Sequence, residues 1–145
     1  MVKKYLYLLL ICFPLSLAAQ KKDLPQLACF LNNPIQHAPE KAAINVGQAE
    51  PKIILSSTTD TVVKACIDAI ISNVQKDEDG KWEIVFYHKD YWFWLSGVSK
   101  PSVRKDQKIK TGDALGILQP GQKLELLLYD FETPIDPKKY MACGK

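Results

Sequence analysis

From Lys52 onward the chain alternates short apolar runs with turn residues, and no run sustains a helical period. Ile53–Ser56 is short and apolar. Thr61–Ile67 (T-V-V-K-A-C-I) and Ala69–Val74 (A-I-I-S-N-V) are rich in β-branched residues, whose restricted side chains suit a pleated strand. Asp77-Glu78-Asp79-Gly80 reads as a charged turn, Trp82–Tyr87 as the strand after it, and His88-Lys89-Asp90 as a second turn. Tyr91-Trp92-Phe93-Trp94-Leu95 is then the returning strand, with Trp92 and Trp94 on the face opposite Tyr91 and Phe93. One pair is expected in the core. The four aromatics, Tyr91, Trp92, Phe93 and Trp94, are the candidates for binding, since whichever pair faces outward offers a sticky surface to a glycan, a peptide or a protein. Lys123–Tyr129 alternates cleanly, with Leu124, Leu126 and Leu128 on one side and Lys123, Glu125, Leu127 and Tyr129 on the other. Many short strands with Gly and Pro turns predict an all-β sandwich or barrel.

The two ends read differently. Met1–Lys4 is basic, Tyr5–Leu17 is almost unbroken apolar, and Ser16–Gln20 offers small residues for cleavage, which is the layout of a secretory signal peptide over residues 1–19. The apolar run is about 13 residues, short for a membrane span of roughly 20, although an uncleaved anchor is the alternative. Neither Cys12 nor Cys29 has the flanking residues of a lipidation site. Residues 20–51 carry four of the nine prolines, so they are expected to be an extended lead-in with one or two short strands. Residues 52–145 form the expected domain. The mature chain is expected to be exported, periplasmic or extracellular, without a membrane span.

Losing Lys3 and Lys4 and no acids would take the formal charge from +3 to +1, too near neutral for a nucleic-acid partner. Lys100–Lys110 is the most basic stretch and is read as a solvated hairpin. Of the cysteines beyond the signal, Cys66 sits in an apolar run as a small buried hydrophobe. Cys29 and Cys143 lie near the two ends of the mature chain, and a bridge between them is the expected disulfide in an oxidising compartment. The two histidines, His37 and His88, have no ligand partner at metal spacing, and no phosphate loop or nucleotide fingerprint occurs.

Several motifs then fall in one order. Asp60-Thr61-Val62-Val63-Lys64-Ala65 resembles a G-T-P-V-x-A strand, and Cys66-Ile67-Asp68-Ala69-Ile70-Ile71 an A-x-D-G-x-V continuation with Ala69 for glycine. Ser96-Gly97-Val98-Ser99 stands where A-H-L-S would, and Val103–Gly116 matches V-x-x-G-x-x-V-x-x-G-x-x-I-G with Asp106 for the first glycine. Pro134–Met141 matches P-V-D-P-x-x-Y-L. In this order and spacing, Thr59–Met141 resembles the lysostaphin-type (LytM-like) zinc metallopeptidases, which cut peptide bridges in bacterial peptidoglycan. The resemblance implies a compact, mainly antiparallel β-sandwich or barrel-like domain, the duplicated hybrid motif of that family, with a groove across one sheet.

The resemblance also implies a zinc held by an early H-x-x-x-D and a late H-x-H, with further histidines for proton transfer. Those positions fall on Glu50 and Ile54, on Lys123-Leu124-Glu125, and on Gly97 for A-H-L-S. A catalytic zinc needs three side-chain ligands and an open position for water. Ile54 and Gly97 supply none, so the chain is identified as a degenerate member with no catalytic residue, metal or other cofactor. Lys123 and Glu125 share a strand face, and the Lys123 ammonium paired with Glu125 is one expectation for the emptied site; two solvent-facing side chains is the other. Three functions follow. The first is a non-catalytic binding or regulatory module whose partner is a cell-wall hydrolase or peptidoglycan, as in inactive relatives that activate amidases. The second is a peptidoglycan endopeptidase with an altered metal site built on Glu125 or Glu50. The third is a hammerhead carrier domain, which the absence of a modifiable lysine turn disfavours.

Overall fold

A computed structural model describes residues 23–39 and 49–143. The signal-peptide segment, and residues 20–22 and 40–48 of the lead-in, lie outside the described residues. Among the described residues eleven strands occur in order: β1 (Ile35–His37), β2 (Lys52–Ser56), β3 (Val62–Lys64), β4 (Ala69–Lys76), β5 (Trp82–His88), β6 (Tyr91–Val98), β7 (Lys100–Pro101), β8 (Lys108–Ile109), β9 (Ala114–Ile117), β10 (Leu124–Asp130) and β11 (Thr133–Ile135). A 3-10 turn, Pro137–Lys139, follows them. Among the described residues no helix is long and apolar enough to cross a membrane.

Eight strands form one sheet in the order β1-β2-β10-β6-β5-β4-β8, with β11 also on β10. A second sheet has the order β3-β9-β7, and every strand pairing is antiparallel. The large sheet stays open, so of the two architectures expected it is the layered one, not the closed barrel, that the chain adopts.

Strand alternation decides which face is buried. Leu124, Leu126 and Leu128 join Leu95, Phe93, Ile84, Phe86 and Ile71 in the core, and Val63, Leu115 and Leu118 meet them from the small sheet and its flank. Phe86 and Phe93 stack across β5 and β6 with ring centroids 4.9 Å apart. Tyr91 and Phe93 therefore leave the set of binding candidates, because both are buried.

The lead-in does more than approach the fold. Leu24, Leu27, Phe30 and Leu31 are buried in the same core. The Leu27 N–H donates to the Tyr140 carbonyl at 2.7 Å, and the Lys64 N–H to that of Phe30 at 2.9 Å. Cys29 and Cys143 are bonded, Cα–Cα 5.0 Å, which fastens this strap to the C-terminal segment. Cys66 is free and buried, and burial pushes its thiol pKa far up, so it is an inert thiol.

Two turns hold motif positions, one of them a departure from glycine. Asp106, standing for a glycine, holds φ 65, a left-handed conformation that Asp tolerates better than most residues. Asp68, between β3 and β4, accepts from the Thr111 N–H at 2.8 Å and from its hydroxyl at 3.0 Å. Those hydrogen bonds hold its carboxyl below the usual aspartate range. A depressed folded pKa gives stability that is present above the unfolded value and is lost as pH falls through the folded one. Asp68→Asn is thus expected to flatten the acid limb of a stability-against-pH curve in that window, and to leave its slope near pH 7 unchanged.

Candidate functional site

The outward face of the large sheet is set by register. One row runs His37–Ile54–Glu125–Ser96–Glu83 across β1, β2, β10, β6 and β5. The next runs Lys52–Leu127–Trp94–Val85, and a third Tyr129–Trp92–Tyr87. Ile54 and Glu125, which the sequence places 71 positions apart, are direct cross-strand partners. Of the expected site positions, Ile54 and Glu125 meet on this face, with Gly97 following Ser96 on the neighbouring strand, while Glu50 lies two rows away beside Tyr129.

Their chemistry is that of a closed site. Glu125 Oε2 accepts from the Lys52 ammonium at 2.7 Å. Lys52 is two residues from Ile54 on the same strand face, and the alternation of β10 alone gives no hint of it; Lys123 is exposed just ahead of β10. At 31% and 40% exposure this ion pair is solvent-screened, worth at most about 1 kcal/mol, and it neutralises the one carboxylate of the row's centre. His37 reaches only Ser56, its Nε2 2.7 Å from the hydroxyl oxygen.

Gly97 is a backbone feature as well as a vacancy of side chain. Trp82 pairs with Val98 and Glu83 with Ser96, so Gly97 is the extra residue of a β-bulge, at φ 98. A β-carbon there would lie 2.5 Å from the Lys123 carbonyl oxygen. Its own carbonyl accepts from Gln122 Nε2 at 2.7 Å, and Gln122 Oε1 in turn accepts from the Ser99 hydroxyl. A zinc of the lysostaphin kind does not fit these residues. Ile54 and Gly97 offer no side-chain ligand atom, Glu125 is already paired, and among the described residues no three His, Cys, Asp or Glu side chains converge.

The rest of the face is aromatic. Trp92 and Trp94 point outward, each 37% exposed, and Tyr87 packs on Trp92 with centroids 5.0 Å apart. Trp92, Trp94, Tyr129, Phe131 and Glu132 line a depression of about 330 Å³. Glu50 stands at this end of the face, accepting from the Tyr129 hydroxyl at 2.9 Å, and burial together with Glu50 raises that hydroxyl's pKa. Phe131 is the residue sequence reasoning passed over. Asp130 pairs with Thr133, so Phe131 and Glu132 form a two-residue hairpin turn, with Phe131 at φ 60 and 68% exposed. Such turns favour Asn or Gly at a left-handed position, and a bulky side chain there costs about 1–2 kcal/mol. A bulky ring just after the acid Asp130 was the available signal.

No family model matches the chain, and no curated protein matches it in sequence. Solved structures do. The antimicrobial peptidase lysostaphin from Staphylococcus simulans superposes with TM-score 0.63 at 20% identity, over 81% of this chain and 54% of that one. The chain has a lysostaphin-like fold. Csd3 of Helicobacter pylori gives TM-score 0.66 at 13% identity over 83% of this chain, which spans only 34% of Csd3. A chain of the SpoIIIAH–SpoIIQ complex gives 0.64 at 15% identity, over 79% of this chain and 99% of that one. These identities carry the fold. What the lysostaphin-like framework does here has to come from its own residues.

Proposed function

We propose that this chain is an exported, non-catalytic module of bacterial cell-wall metabolism that binds a partner with the outer face of its large sheet, for example as activator of a cell-wall hydrolase. One observation carries the reading: where the fold would gather ligands and a proton-transfer histidine, the chain has Ile54, the Lys52–Glu125 pair and a bulged Gly97. Neither Ile54 nor Gly97 brings a side-chain ligand and Glu125 is taken up by Lys52, and the three lie in one connected stretch of the face. The exposed tryptophans beside them support binding as the use of the surface. The SpoIIIAH–SpoIIQ complex supports it too, as a case in which a protein of this fold has a protein partner. Export is supported by the basic-apolar-small layout of residues 1–19 and by the Cys29–Cys143 bond, which suits an oxidising compartment.

The test is digestion of purified peptidoglycan by the chain alone, by a cell-wall amidase alone, and by both. The reading expects no fragment release by the chain alone, together with sedimentation on peptidoglycan or faster release by the amidase. Chelator-sensitive release by the chain alone would replace the reading with the endopeptidase one. Neither binding nor stimulation would remove its cell-wall part.

A further inference from the structure

The aromatic end of this face has a chemistry of its own. Trp92 and Trp94, at alternate positions of β6, repeat at roughly 6.8 Å, the spacing at which an extended peptide presents side chains on one side. Phe131 completes the shelf from a left-handed turn position, 68% exposed, so neither backbone preference nor core burial accounts for a ring there. Tyr129 is held in place by Glu50. The charges on the shelf itself are acidic: Glu132 lines it and Glu50 sits on its tyrosine. Lys52, which register puts next to the shelf opposite Leu127, is neutralised by Glu125. The densest run of lysines is elsewhere, between Lys100 and Lys110 on β7, β8 and their connections.

Aromatic faces attract ammonium and guanidinium groups through the ring quadrupole, and a carboxylate rim adds to that attraction and excludes anions. We propose that the shelf of Trp92, Trp94, Tyr129 and Phe131, with Glu50 and Glu132, binds an extended peptide segment of a partner protein carrying Lys or Arg at alternate positions. The proposal rests on the reading that this face binds a partner, and it names the chemistry of that partner. A neutral sugar would stack on the same rings but would gain nothing from the carboxylates.

The test titrates the full chain with acetyl-Lys-Ala-Lys-Ala-Lys-amide, with its glutamate counterpart, and with chitohexaose, following tryptophan fluorescence at low and high salt. The lysine peptide is expected to bind, more weakly as salt rises, and the glutamate peptide not to bind. Phe131→Gly places the residue best suited to φ 60 in the turn, so its thermal midpoint should hold or rise while affinity for the lysine peptide falls about tenfold. A Glu50→Gln, Glu132→Gln double variant should lose a similar factor and most of the salt dependence. The proposal is overturned if the lysine peptide fails to bind, if either variant binds it like the parent, or if chitohexaose binds with the sensitivity to Phe131→Gly. Peptidoglycan or hydrolase binding that survives Phe131→Gly unchanged would leave the binding-module reading standing and remove this one alone.

Discussion

A chain with Cys29 and Cys143 both changed to alanine is expected to unfold about 4–5 kcal/mol more easily than the parent in urea without reductant. The bridge closes a loop of sequence separation 114, and the entropy it removes from the unfolded chain grows with the logarithm of that length. Total stability of a domain this size is about 5–15 kcal/mol, so the loss leaves it marginal. The local consequence is specific. Leu27, Phe30 and Leu31, which pack into the core beside Cys29, depend on this tether and a few backbone hydrogen bonds to stay there. Among Cys29, Cys66 and Cys143, one thiol should react after denaturation without reductant, and Cys66 should be silent in the native state. Three reactive thiols, or a double variant as stable as the parent, would refute the tether.

Gly97→Ala is expected to cost about 3 kcal/mol. Part is the left-handed φ of 98 and part is the β-carbon's 2.5 Å approach to the Lys123 carbonyl, a backbone atom immediately before β10. Gly121→Ala is the control: its φ of 77 is also left-handed but a β-carbon there meets nothing within 4 Å, so it should cost about 1 kcal/mol. Urea unfolding of the two variants separates the conformational cost from the collision. The result bears on function, because a histidine at 97 would meet the same collision. A proton-transfer residue at this bulge requires the backbone at Lys123 to move.

The all-β class, the aromatic hairpin and the inward set of Leu124, Leu126 and Leu128 were legible because each is a local alternation, read off neighbouring residues. Alternation also put Trp92 and Trp94 on one face, but which pair points outward is decided only by the sheet's packing. The Lys52–Glu125 pair was not legible, since it depends on the register between β2 and β10, and no local pattern fixes a register between strands that far apart. The four core residues of Leu24–Leu31 were hidden for a similar reason: a proline-containing stretch without periodicity gives no sign of which side chains it buries. Phe131 was missed because turns are inferred from Gly, Asn, Asp and Pro, and a ring at a left-handed position breaks that rule. Gly97, by contrast, was singled out as a missing histidine, and the structure adds that it sits in a β-bulge at φ 98.

The claim that this face is a framework without metal chemistry is tested most directly by zinc stoichiometry. The chain is equilibrated with zinc, freed of loose metal by gel filtration, and its zinc measured in parallel with peptide release from peptidoglycan. The account predicts zinc far below one per chain and no release. One zinc per chain, lost together with peptide release when Glu125 is changed to Gln, would contradict it.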